Sequence, residues 1–179
     1  MAQLRFSAAR GVFEAFPTAA VDIAAKPTDQ PPIAYLRELA KGPTPDDAIA
    51  FCAYLLTRRE AVLWASQCVR ALLGKPAEPD EAALAAAEAW VREPEEPKRR
   101  QALEFGLAAD QGAASTWVAL AAGWSGGPMI ISEYGGPPAP PQLTAQAALT
   151  AIRLALVGTA DRVGEIARCV ERGVRIAEG

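Results

Sequence analysis

The stretch DRVGEIARCVERGVRIA, Asp161–Ala177, decides the fold class. Val163, Ile166, Ala167, Val170 and Val174 recur every three or four residues, and Glu165, Arg168, Arg172 and Arg175 take the opposite side. That spacing matches the 3.6-residue turn of a helix with one buried and one solvated face.

The same period extends upstream. Thr144 is expected to cap the apolar helix AQAALTAIRLALV, which Gly158 ends, and the scarcity of polar residues places that helix near the centre. A helix is predicted from Ala113 to Gly123, and another runs to Ala109 with Pro94 and Pro97 in its first turn, where backbone donors lack intrahelical acceptors. Asp80–Arg92 forms a helix with Leu84 and Trp90 as its large core contacts. Thr57 and Glu60 read as a capping box that separates Arg58–Leu73 from a preceding helix opened by Thr44-Pro45-Asp46-Asp47. In Arg58–Leu73 the buried stripe is Ala61, Trp64, Ala65, Cys68 and Leu72, with Arg59, Ser66 and Arg70 on other faces. Earlier still come a helix from Pro31 or Pro32 to Gly42, one turn at Ala20–Ala25, and a short helix that Ser7 caps and Pro17 stops.

Nothing alternates at period two except Met129–Ser132. The expected fold is therefore all-α, a single compact domain of seven to nine helices over residues 1–179, arranged largely as antiparallel hairpins with negligible strand. About forty alanines favour closely packed helices.

Composition limits function. The net charge of −3 supplies no global field for nucleic acid. No stretch reaches the length of a membrane span, and no apolar leader precedes a cleavage site, so a cytoplasmic location is expected. Cys52, Cys68 and Cys169 are odd in number, lack CxxC spacing and fall within apolar patterns, which predicts buried, reduced thiols.

The chain has no histidine, which removes Ser-His-Asp and Cys-His catalysis and most catalytic zinc sites. The phosphate-cradling and nucleophile-elbow patterns are also missing from the sequence. No catalytic residue, cofactor or metal is expected. Asp46 and Asp47 read as helix-capping charge. Glu95 with Arg99 and Glu96 with Arg100 read as ion pairs on a solvated face. Arg168, Arg172 and Arg175 read as surface charge diluted by Glu165 and Glu171. Arg153 interrupts an apolar helix and needs an acidic partner or a route to water.

One segment departs from this pattern. WSGGPMIISEYGGPPAPP, Trp124–Pro141, holds four glycines and five prolines around an apolar island of Met129, Ile130, Ile131 and Tyr134. Residues 124–143 are expected to form a Gly/Pro-rich loop within the helical domain, shaped by two matching GGP breaks. Either the island folds down to plug the bundle, or Trp124, Met129, Ile130, Ile131 and Tyr134 form an apolar surface for another protein.

RFSAARGVFEAFP (Arg5–Pro17), REAVLWASQCVR (Arg59–Arg70) and WSGG (Trp124–Gly127) resemble an uncharacterised family of small all-helical bacterial proteins, some thought to be encoded among type VI secretion components. The resemblance implies an accessory or adaptor role in a secretion-related assembly and brings no active-site residues. The leading expectation is a non-enzymatic adaptor that binds a protein. The alternatives are a small-molecule binding module or enzyme, with Arg153 or Glu60 orienting a ligand in an apolar pocket, and a structural subunit of a homo- or hetero-oligomer.

Overall fold

Helix α8, residues Ala114–Gly123, shows how this sequence packs: every residue except Trp117 is buried. The computed structural model describes residues 4–179, and among them ten helices follow in chain order. They are α1 (Arg10–Ala15), α2 (Ala19–Asp22), α3 (Pro32–Lys41), α4 (Asp46–Leu55), α5 (Arg58–Leu73), α6 (Glu78–Arg92), α7 (Glu96–Ala108), α8, α9 (Leu143–Ala155) and α10 (Arg162–Glu178). The all-α expectation holds. The count exceeds nine because α2 is a separate helix of four residues. The chain divides into two compact units, one through residue 57 with Gly158–Gly179 and the other Arg58–Val157. Both crossings fall at helix breaks: Leu56 turns extended at φ −70°, ψ 150°, and Gly158 adopts φ +79°.

In the first unit α4 is the buried element, covered by α1, α2, α3 and α10. Tyr35 meets Phe51 edge-on at 4.9 Å between ring centroids, and Phe16 lies 5.5 Å from Tyr54. The buried Tyr54 hydroxyl donates to Asp22 at 2.6 Å, so the ring enters the core without stranding its polar end. Asp47 is buried and accepts from the Ala24 and Ala25 amides at 3.2 and 3.0 Å and from the Thr44 hydroxyl at 3.1 Å. Asp46 pairs with Arg162 of α10. The two carboxylates thus do more than complement a helix dipole: each ties α4 to a distant part of the chain.

The stripe of α10 is shifted from the one the sequence suggests. Ile166, Cys169, Val170, Gly173, Val174 and Ala177 are buried, whereas Val163 is 62% exposed and Ala167 is also on the surface. Val163 lies in the first turn, ahead of the packed stretch, and the face leans toward the small residues Cys169 and Gly173. All three cysteines are free and buried. Burial pushes the Cys52 thiol up, further from reactive thiolate.

Three predicted caps are displaced because their side chains bond elsewhere or lie outside the helix. Ser7 precedes α1, which starts at Arg10. Thr44 donates to Asp47, and Thr144 donates to the Trp124 carbonyl. Pro94 stands outside α7, leaving Pro97 alone in its first turn.

In the second unit α8 is the centre, packed by α5, α6, α7 and α9. The sequence pointed to α9 for that role, but α9 keeps Gln146, Thr150 and Arg153 half-buried, while α8 carries no charge at all. Small residues let α7 and α8 approach reciprocally. A Cβ on Gly106 would fall 2.6 Å from a Leu120 methyl, and one on Gly123 would fall 2.7 Å from the Leu103 Cα. Around this centre, Arg59 donates to the Val91 carbonyl at 2.7 Å and the Arg92 carbonyl at 3.3 Å, capping the end of α6.

Arg70 forks onto both Glu81 oxygens at 2.8 Å and onto Glu88 at 2.6 Å, and Ser66 adds a donor to Glu88. Ser66, off the Trp64 stripe as expected, is nonetheless buried by this contact with α6. Burial pushes the Glu88 carboxyl up, yet the bonds from Arg70 and Ser66 outweigh it and hold the group below its ordinary 4.5. Arg70 likewise lowers Glu81.

Depressed carboxyl values contribute stability that is present above the unfolded value and lost as pH falls through the folded one. The urea midpoint is therefore expected to hold near neutrality and fall below about pH 4.5, with a shallower fall in Arg70→Met; parallel acid titrations of the two proteins check this. Gly123→Ala must move the Leu103 backbone, and urea denaturation is expected to show a loss of about 1–3 kcal/mol.

Candidate functional site

The segment between α8 and α9 begins with a problem of unsatisfied acceptors. The last carbonyls of a helix have no intrahelical donor, and α8 ends inside the unit with Gly123 buried. Three other helices supply donors in succession. Arg99 of α7 donates through Nη1 to the Gly123 carbonyl. Thr144 of α9 donates to the Trp124 carbonyl at 3.2 Å, and Arg58 of α5 donates to the Ser125 carbonyl at 2.7 Å. Three consecutive carbonyls are thus held from three directions.

The Gly/Pro stretch then closes on itself. Met129 donates its amide to the Pro137 carbonyl at 3.0 Å and Ala139 donates to Gly127 at 2.9 Å, forming an isolated antiparallel bridge between Pro128 and Pro138. The two GGP breaks therefore face each other across the base of the loop. Trp124 Nε1 donates to the Met129 carbonyl at 3.1 Å, and Trp117 meets the Trp124 ring near-perpendicularly at 6.4 Å. At the tip, Ser132 accepts the Tyr134 amide on its hydroxyl and the Gly135 amide on its carbonyl.

The second glycine of each break makes room for a side chain. Gly127 adopts φ +64°, and a Cβ there would meet the Arg99 guanidinium at 3.0 Å; a Cβ on Gly136 would meet Ile130 Cγ1 at 2.8 Å. Both give reasons for glycine that composition alone does not show.

The five predicted residues divide into two groups. Trp124 and Met129 are half-buried and belong to the loop's framework. Ile130 is 50% exposed, Ile131 36% and Tyr134 98%. Tyr134 therefore does not plug the bundle, whereas Ile130 and Ile131 are part exposed and part packed over α7. Beneath them lies a small cleft of about 50 Å³ between Ile130, Ile131, Pro128 and the α7 residues Arg99, Arg100 and Leu103.

The charge pattern on α7 also needs correction. Arg99 is only 5% exposed and is paired through Nε and Nη2 with Glu96, both at 2.6 Å, while Arg100 approaches Glu104 at 3.5 Å. Neither expected i,i+4 pair forms. Position 99 lies on the same helical face as the buried Ala102, Leu103 and Gly106, and that spacing was the available signal. The Arg99 hydrogen bonds hold the Glu96 carboxyl below its ordinary range.

A second cleft, of about 290 Å³, lies in the first unit between Ala24, Ala25, Leu39, Gly42 and Thr44, with Glu38 as its charged residue. Neither Arg153 nor Glu60 lines it. Among the described residues, no group of three or more His, Cys, Asp or Glu is placed to hold a metal ion, and no helix is long and apolar enough to cross a membrane.

Gly127→Ala combines a left-handed backbone with crowding against Arg99. It is expected to lower stability by about 1–2 kcal/mol, read as a shifted urea midpoint.

No curated protein and no solved structure matches this chain. One family model does, over residues 35–177, which runs from within α3 into α10 and takes in the whole α8–α9 loop. With most of its length matched, and with the clamped loop inside the matched region, the chain belongs to the family of unknown function DUF6931.

Proposed function

We propose that this protein is a non-enzymatic adaptor that binds another protein through Ile130, Ile131 and Tyr134, with Trp124 and Met129 fixing the loop behind them. The observation that carries this reading is a hydrogen-bonded loop that presents Tyr134 fully, and Ile130 and Ile131 in part, to solvent. Burial is favourable by about 25 cal/mol per Å² of apolar surface, so an exposed cluster of this kind gains by being covered. Ordering is already in place before association, which lowers the entropic cost of binding.

Its setting, on the resemblance to secretion-associated proteins, is an accessory position in a secretion-related assembly inside the cell. The lack of histidine and the burial of every cysteine favour a binding role over catalysis. A small-molecule role has less support, since the larger cleft offers Glu38 as its single charged side chain. A second copy of the chain is the rival occupant of the loop surface, and sedimentation at several concentrations separates it from a different partner.

Photo-crosslinking in the native cell tests the surface. A crosslinking phenylalanine analogue at position 134 is expected to give a discrete adduct that the same group at the exposed Lys75 does not give. Ile130→Ser/Ile131→Ser should reduce that adduct by about tenfold, the loss expected from about 1.4 kcal/mol of apolar contact. Equal adducts from both positions, or an undiminished adduct in the double variant, would count against this surface.

A further inference from the structure

We infer that Arg99 is a latch: its guanidinium sets whether the Ile130/Ile131/Tyr134 loop is held in its displayed conformation or released from the bundle. Within the loop, two backbone bonds span the base, from Met129 to Pro137 and from Ala139 to Gly127, and the Trp124 indole donates to the Met129 carbonyl, while Tyr134 stands in solvent and Ile130 is half exposed. Two-stranded pairings of that size are marginal in water without support from outside.

The geometry of Arg99 supplies that support. Glu96 engages Nε and Nη2 at 2.6 Å each, which fixes the guanidinium plane from the α7 side. Nη1 then points to two carbonyls at once, that of Gly123 at the end of α8 and that of Pro128 at 3.5 Å inside the loop. Thr144 and Arg58 reach only Trp124 and Ser125, before the first glycine pair, whereas Arg99 spans from the helix end to the bridge residue. Gly127 packs onto the same guanidinium with no space for a Cβ. Removing the cation would leave the buried Gly123 carbonyl without that donor and the loop base without its floor.

The consequence for function is preorganisation. A partner that recognises the latched loop binds with an apparent affinity scaled by the latched fraction, so the strength of the latch sets affinity without touching a contact residue. This deepens the proposed binding surface and rests on it for its biological meaning. The test contains no partner, so its failure leaves the surface reading standing, and failure of the crosslinking leaves the latch standing.

Residue-resolved amide hydrogen exchange on the full chain tests it in wild type, Arg99→Met, Glu96→Gln and Arg100→Met. The Met129 and Ala139 amides are expected to exchange about tenfold faster in R99M and about threefold faster in E96Q, with R100M unchanged. The Leu120 and Ile152 amides, inside α8 and α9, should keep their wild-type rates throughout. Unchanged Met129 and Ala139 rates in R99M overturn the latch, and so does an acceleration shared equally by Leu120 and Ile152, which would mean that the whole bundle had loosened. Glu96 is exposed, so E96Q keeps the test decisive even where R99M fails to fold: unaltered loop exchange in E96Q then overturns it.

Discussion

The end of α8 is the constraint on which the second unit depends. A helix buried over nearly its whole length ends with the Gly123 carbonyl away from water, where an unmet acceptor would cost about 1–3 kcal/mol, and the next two carbonyls lie progressively nearer the surface. Arg99, Thr144 and Arg58 meet this demand from α7, α9 and α5. The order of the following loop is a by-product of that satisfaction: once three successive carbonyls are fixed, the chain leaves the bundle in one direction. The glycines then allow the base of the loop to close.

The same economy of charge recurs through the molecule. Arg59 serves the carbonyls ending α6, Asp47 receives two loop amides, and Arg70 gathers two carboxylates onto α5. In each case an ionised side chain is held by several hydrogen bonds, which offsets the cost of partial burial. Arg59, Asp47, Arg70 and Glu88 thus serve as backbone partners and interhelical ties.

Close helix packing makes this arrangement accessible. Gly106 and Gly123 bring the backbones of α7 and α8 together, and the Arg99 guanidinium of α7 bonds the Gly123 carbonyl at that close contact. Leu103 and Leu120 fill the reciprocal hollows, so the glycines act through the space they leave and not through conformational freedom. The alanine-rich composition is the general form of the same principle, since short side chains trade buried area per residue for proximity.

The sequence by itself determined the fold class and nearly every helix. The 3.6-residue period, the proline and glycine stops and the Leu56–Thr57 break are local properties, fixed by backbone sterics and by which side of a turn a residue occupies. It also marked the Gly/Pro-rich loop, because two GGP breaks around an apolar island are legible without coordinates. Only the tertiary structure decided what the charged and capping residues do. Arg99 reads as a solvated partner of Glu95, and Thr144 as a cap, until α8 ends beside them; the carbonyls that claim these donors lie 24 and 20 residues away in the chain. Whether Ile130, Ile131 and Tyr134 point inward or outward was likewise undetermined by pattern. It depends on backbone bonds across the loop base and on donors from three separate helices, and no local period encodes such distant pairings.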